Sequence, residues 1–273
     1  MQSIPGRRAR ATASDRRLPS LSAILPMYNE EPNVVGSVEE VLAALPAVAR
    51  WFELVVVDDG SSDLTGALAD GLARAQPGLV RVVRHARNRG YGAALRSGFA
   101  AAQGQFIFYT DGDGQFDPRQ LGVLVDGLTD GDVVVGYRSQ RADRWHRRVT
   151  ARAWNGLVRA FLRVPSRDVN CAFKLLPRAA LTDLGLTSDG AAVSAELLAR
   201  LCRRGHRVVD RAVVHRPRAA GTASGARPAV VLRALRELIM LRWRLSLPGS
   251  TCASGRQVRS RSLRRRNGAS MKR

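Results

Sequence analysis

The chain has 273 residues, a net charge of +21 from 44 Lys and Arg against 23 Asp and Glu, and 45% apolar residues. That apolar share supports a substantial core and excludes a disordered tail protein, and the length suits one large domain or two small ones. Three scattered cysteines, Cys171, Cys202 and Cys252, form no C-x-x-C pair, which argues against a disulfide scaffold or a zinc cluster and fits a reducing compartment.

The excess charge is concentrated at the ends. Residues 1–17 carry five Arg and one Asp, and residues 250–273 carry eight basic residues and no acidic one. Only Lys174 and Lys272 among the basic residues are lysines. The first twenty residues lack the apolar stretch of a secretory signal, and no run approaches the roughly 18–20 apolar residues of a membrane span. A nucleic-acid reading rests on charge alone: aromatics are 5%, with no zinc-finger spacing and no RNP-type aromatic strands.

In chain order, Leu21–Leu25 reads as a strand, and Asn33 caps a helix that runs through Leu45. Leu54–Val57 is a continuous apolar run ending in acidic residues, the pattern of a strand buried on both faces. Leu64–Ala75 is a helix, Val80–Val83 a strand, Gly92–Ala102 a helix and Phe106–Tyr109 a strand, again ending in an acidic cluster. Leu121–Leu128 follows as a helix and Val133–Val135 as a strand. This alternation predicts an α/β fold with a mostly parallel sheet, strand C-termini along one edge and ligands at that edge. Beyond Tyr137 the pattern gives a helix over Arg147–Leu162, a strand over Cys171–Leu176, a helix over Ala191–Arg203 and a strand over Val208–Val214. A loop rich in Pro, Gly, Ala and Ser covers 217–228, and a basic amphipathic helix runs over Val230–Leu245.

Three polar clusters fall at predicted strand ends. Pro26-Met27-Tyr28-Asn29-Glu30 follows the first strand. Asp58-Asp59-Gly60-Ser61-Ser62-Asp63 follows the second; its Ser62 and Asp63 suit helix capping, but two adjacent carboxylates repel unless cations or donors face them. Asp111-Gly112-Asp113-Gly114-Gln115 follows the fourth. Two carboxylates spaced i, i+2 between glycines can turn toward one point, which suits a hard divalent cation shared with a phosphate. Its length and missing closing Glu exclude an EF-hand. Between these lies Arg87-Asn88-Arg89-Gly90-Tyr91-Gly92-Ala93-Ala94-Leu95. Leu95 stands where a dinucleotide fingerprint needs a third Gly, and the run follows the third strand, which excludes a Rossmann dehydrogenase. The glycines either let the helix start approach a phosphate beside Arg89 or pack it tightly. His85, His146, His206 and His215 show no metal-ligand spacing and receive no role.

The order P-x-Y-N-E, V-D-D-G-S-S-D, R-N-R-G-Y-G-A-A-L-R-S-G-F and T-D-G-D-G-Q-F-D-P resembles family 2 glycosyltransferases of GT-A fold. The run Arg167-Asp168-Val169-Asn170-Cys171-Ala172-Phe173-Lys174-Leu175 resembles their polyprenyl-phosphate branch, the dolichol-phosphate-mannose-synthase-like enzymes. The resemblance implies a GT-A domain over 20–227, flanked by a disordered basic segment 1–19, the amphipathic helix 228–247 and a disordered basic tail 248–273. It implies a nucleotide-sugar donor such as GDP-mannose or a UDP-hexose, Mg²⁺ or Mn²⁺, and an inverting transfer. Pro26, Tyr28 and Glu30 would line the nucleoside pocket, Asp58 would contact the base, and Asp59 would support that loop. Arg89 and Gly112 would adjoin the donor, and Asp111, Asp113 and Gln115 would hold the cation.

A hydroxyl acceptor needs a general base, whereas a polyprenyl phosphate is already an anionic nucleophile and needs cations to position it. Arg138 and Arg147 are the expected phosphate ligands, with Arg148 an alternative register. With Asp113 they form the expected catalytic set. Ala151 stands where the branch often has Ser, so the identity of the acceptor stays open. In the alternative, a lipid or glycan hydroxyl acceptor, Asp168 would be the base. The Arg216–Ser224 stretch resembles the family's mobile loop over the donor. The C-terminal helix and tail would give peripheral contact with the inner face of the plasma membrane through anionic lipids.

Overall fold

A computed structural model describes residues 17–129, 132–141, 145–217 and 228–246, with only the backbone described for 140–141, 145–151, 228–234 and 245–246. Seven strands form one sheet: β1 Leu18–Met27, β2 Ala49–Asp58, β3 Val80–Arg84, β4 Phe106–Thr110, β5 Val133–Arg141, β6 Phe173–Pro177 and β7 Val208–His215. Their spatial order is β3-β2-β1-β4-β6-β5-β7. Every neighbouring pair is parallel except the two that involve β6. The seven helices are α1 Val34–Ala44, α2 Thr65–Ala75, α3 Tyr91–Ala101, α4 Leu121–Gly127, α5 Trp145–Leu162, α6 Val193–Arg203 and α7 Pro228–Ser246.

The central strands are buried on both faces, which their unbroken apolar runs require. In β2, Val55 and Val57 join a core covered by α3, α5, α6 and α7, while Leu54 and Val56 join the opposite core under α1, α2 and α4. All four are fully buried. Each such side chain contributes about 1.5–3 kcal/mol on transfer from water.

Every strand expected from the sequence is present, and six run the same way. The seventh, β6, is reversed, with Tyr109 paired to Lys174 and Thr110 to Phe173. The reversal decides the site, because it brings the chain just before β6 to the edge where the parallel strands end. Arg138, expected just past its strand, lies within β5. The C-terminal helix forms, but Leu238 and Leu241 are buried in the core, so the apolar residues divide between two faces. Expectations for 1–16, for the 218–224 part of the Arg216–Ser224 stretch and the rest of the loop to 227, and for 247–273 lie outside the described residues.

Candidate active site

Two loops meet at the ends of β1 and β2. Asn29, in the left-handed region at φ 53°, receives Ser62 N on its side chain and donates its own N–H to Ser61 Oγ. Glu30 N donates to Thr65 Oγ1 at 2.8 Å, and Asn33 Nδ2 donates to the Glu30 carboxylate at 2.7 Å. Pro26 is buried, whereas the Tyr28 ring is 46% exposed at the mouth of this edge. Asp63, which receives Thr65 and Glu31, sits below the usual carboxylate range: burial pushes it up, but those hydrogen bonds outweigh it.

The adjacent carboxylates of β2 are both buried, and donors face each. Asp58 accepts from Ser61 N at 2.9 Å and Arg84 Nε at 3.1 Å. These bonds hold Asp58 between its own loop and Arg84 at the end of β3. Asp59 receives Arg89 N and Gly90 N at 2.9 and 2.8 Å and lies 2.6 Å from His85 Nδ1. His85 Nε2 lies 2.8 Å from Ser97 Oγ, so a histidine with no expected role ties this loop to α3. Asp59 thereby occupies the N-terminal end of α3, where a carboxylate suits the helix dipole.

The glycines at that helix start serve packing. A Cβ on Gly92 would lie 2.1 Å from the Ser188 carbonyl oxygen, and one on Gly90 2.5 Å from that of Asp189. Gly92 N donates to Asp189 O at 2.8 Å. Glu196, fully buried, holds this backing loop through Thr187 N and Ser188 N and through Arg200. Burial pushes Glu196 up, yet the bonds from Ser188, Thr187 and Arg200 hold it below its ordinary value. Of Arg89 only the backbone joins this network, and the residue is exposed.

Beyond β4 the chain turns through the acidic loop. Gly112 crosses Met27, where a Cβ would lie 2.6 Å from the methyl carbon, and its carbonyl accepts from Ser37 Oγ. Gly112 therefore lets the loop pass close over Met27. Asp113 Oδ1 receives Gln115 N at 3.1 Å. Gln115 Nε2 donates to Arg216 O, leaving Oε1 as the amide atom available to a cation. Burial and the neighbouring Asp113 push Asp111 up to about 7, against the opposing pull of Tyr91, Lys174 and Arg138. The buried Tyr91 hydroxyl faces Asp111.

The reversed β6 brings the remaining charges here. Arg138 clasps Asp168 with a two-pronged bond, Nε to Oδ2 at 2.7 Å and Nη2 to Oδ1 at 2.9 Å. Asp210 receives Ser166 Oγ and Arg167 N, and Asn155 receives Val169 N, which fixes the Asp168 loop. Lys174 is fully buried and donates to the Cys171 carbonyl. Burial pushes the Cys171 thiol up to about 12, so it stays protonated. Three carboxylates, Asp111, Asp113 and Asp168, thus gather with two cations, Arg138 and Lys174. Arg147 lies in α5, and its side chain is outside the described residues.

Among the described residues no three His, Cys, Asp or Glu side chains form a metal cluster. The donor set is instead two carboxylates, one amide and a nearby unpartnered hydroxyl. It fits a hard cation that completes its shell with ligand oxygens and water. Sequence reasoning missed Lys174; the signal was a lysine in an arginine-biased chain, inside a strand next to the acidic edge.

A mostly parallel sheet edge with an acidic i, i+2 pair at its centre is the framework of a GT-A fold. Residues 22–185 match the family model described as Glycosyl transferase family 2. The chain belongs to that family. It is 38% identical over 202 residues to glycosyltransferase AglD of Haloferax volcanii, covering 70% of this chain and 32% of that protein. It is 33% identical over 224 residues to polyprenol monophosphomannose synthase of Mycolicibacterium smegmatis, covering 76% of this chain and 83% of that one. Of the undecaprenyl-phosphate 4-deoxy-4-formamido-L-arabinose transferase of Edwardsiella ictaluri the chain spans 48%.

Among solved structures, glucosyl-3-phosphoglycerate synthase from Mycobacterium tuberculosis bound to UDP superposes with a TM-score of 0.64 at 20% identity over 87% of both chains. A Pyrobaculum calidifontis mannosyltransferase with GDP-Man and Mn²⁺ gives 0.60 at 21% identity, over 82% of this chain and 65% of that one. These likenesses establish the fold.

Proposed function

We propose that this enzyme moves one sugar, with inversion, from a nucleotide-sugar donor to a polyprenyl phosphate. The observation that carries this reading is the acceptor side of the site. Asp168, the carboxylate that would be the base for a hydroxyl acceptor, has both oxygens taken by Arg138. A carboxylate in a two-pronged guanidinium pair is a poor proton acceptor. A phosphate nucleophile needs no base, and the relatives named for polyprenyl-phosphate chemistry support the same acceptor class.

In this reading Pro26, Tyr28 and Glu30 line the nucleoside side, with Tyr28 offering an exposed ring to the base. Asp58 and Asp59 keep the two loops in register. Asp111, Asp113 and Gln115 would hold Mg²⁺ or Mn²⁺, which offsets the negative charge that grows on the departing nucleoside diphosphate. Arg138 and Arg147 receive the acceptor phosphate, Arg138 by sharing its donors between Asp168 and the incoming oxygens. Arg216, bonded to Asp117 at 2.6 Å and through its N–H to Gln115 O, ties the chain just past β7 to the acidic loop.

The acceptor is reached at the inner membrane face. No helix of the described residues is long and apolar enough to cross a membrane. On α7, Ile239, Met240 and Trp243 are 53%, 40% and 72% exposed on one face, flanked by Arg236, Arg242 and Arg244. That face, rather than the buried Leu241, suits an anionic lipid surface. A matrix of UDP- and GDP-sugars against a short-chain polyprenyl phosphate, with Mg²⁺ or Mn²⁺, tests the reading; no transfer in any pairing rejects it.

A further inference from the structure

Among the described residues, Lys174 is a fully buried lysine that the reaction outlined above leaves unused. It is wholly inaccessible, so it meets no substrate. Removing an ammonium from water is costly unless it is paired and hydrogen-bonded. One N–H is satisfied by the Cys171 carbonyl, and the ammonium lies 5.2 Å from the centroid of the Tyr109 ring. Sheet register places Lys174 between Tyr109 of β4 and Val135 of β5, on the face covered by α3. Tyr109 is two residues before Asp111, so the ammonium lies beside the strand end that leads into the acidic loop. Arg138, the other cation near Asp111, is paired by two prongs with Asp168. Arginine supplies 42 of the 44 basic residues of this chain. Lys174 thus puts a compact point charge at an interior position of an arginine-rich chain.

We infer that Lys174 is a positioning residue, the internal counter-charge that holds the Asp111 carboxylate turned toward the cation. The inference rests on the proposed cation site at Asp111 and Asp113. The ammonium attracts the carboxylate from the protein side and leaves the opposite side of Asp111 for the incoming ion. It also keeps the carboxylate pair from splaying apart before the ion arrives.

The test measures Mn²⁺ binding by the full chain, from the loss of the free-ion electron paramagnetic resonance signal, alongside thermal melting in EDTA. The variants are Lys174→Met and Lys174→Arg. Lys174→Met is expected to melt cooperatively and to bind Mn²⁺ at least tenfold more weakly. Lys174→Arg, where it folds, is expected to stay within about threefold of the parent. A Lys174→Met protein that folds and binds Mn²⁺ as the parent does overturns the inference. So does a folded Lys174→Arg that loses affinity as far as Lys174→Met, because charge would then be irrelevant. Failure of both variants to fold would make the lysine a fold element and likewise overturn it. If the parent chain itself binds no Mn²⁺, the cation site of the proposed function fails first, and that result is distinct from all of these.

Discussion

Replacing Asp168 with Asn separates the two acceptor chemistries at this site. The substitution keeps the side-chain shape and removes the charge that Arg138 grips at 2.7 and 2.9 Å. Breaking a fully buried ion pair costs about 3–5 kcal/mol. Here the Arg138 side chain is 18% exposed, Asn keeps one acceptor oxygen, and Asp111 offers a second anion nearby, so about 1–3 kcal/mol is expected. For a domain of this size that lowers the melting temperature by about 2–4 °C per kcal/mol. The folded variant is then assayed for sugar transfer to a short-chain polyprenyl phosphate. With Asp168 only a partner of Arg138, kcat falls less than about fivefold and the KM for acceptor stays level or drops, since the carboxylate no longer competes for the guanidinium. With Asp168 as a general base, the loss is about 10²–10⁴-fold. A hundredfold loss of kcat in a protein that still melts cooperatively would refute the reasoning.

The remaining expectations concern the cation, the glycine turn and the lipid face. Because Asp111 is held at about 7 against an ordinary 3.8, its contribution to stability is full below pH 4 and is lost as pH rises toward and through 7. Mn²⁺ should therefore raise the melting temperature more at pH 8 than at pH 5, and equal shifts would contradict the carboxylate pair as its site. Gly92→Ala drives a Cβ to 2.1 Å from the Ser188 carbonyl oxygen and should cost about 1–3 kcal/mol in denaturant unfolding; an unchanged midpoint would remove the packing role. Ile239→Glu with Trp243→Glu should reduce sedimentation with anionic vesicles severalfold while leaving melting unchanged, since both side chains are more than half exposed. Unaltered sedimentation would take the lipid contact away from α7.

Where local pattern dictates structure, the sequence was readable. The Val-Val-Val run of β2 can only be buried on both faces, and the acidic residues that follow it mark the strand end. The demand that Asp58 and Asp59 be faced by donors is met by Arg84 for the first, and by His85, Arg89 N and Gly90 N for the second. Direction was not readable for β6, because a five-residue apolar strand has the same pattern whichever way it runs. Its reversal joins Asp168 to Arg138 and sets Lys174 beside the strand end that leads to Asp111. The Gly90-Tyr91-Gly92 turn was equally compatible with a phosphate or a protein neighbour; the neighbour is the 188–189 backbone, nearly a hundred residues away in sequence. Helical periodicity marked α7 as amphipathic, but which apolar residues face the core depends on α5 and α6, so Leu241 went inward and Trp243 outward.

The central claim is transfer of a sugar to a phosphate acceptor at the Asp111–Asp113 pair. It is tested most directly by incubating the full chain with nucleotide sugars, Mn²⁺ and a short-chain polyprenyl phosphate, then following the glycolipid product by mass spectrometry. The parent chain is expected to form a sugar phosphodiester with at least one donor, and Asp113→Ala, folded, to form none. Product from folded Asp113→Ala at the parent rate, or transfer only to hydroxyl acceptors, would contradict the account.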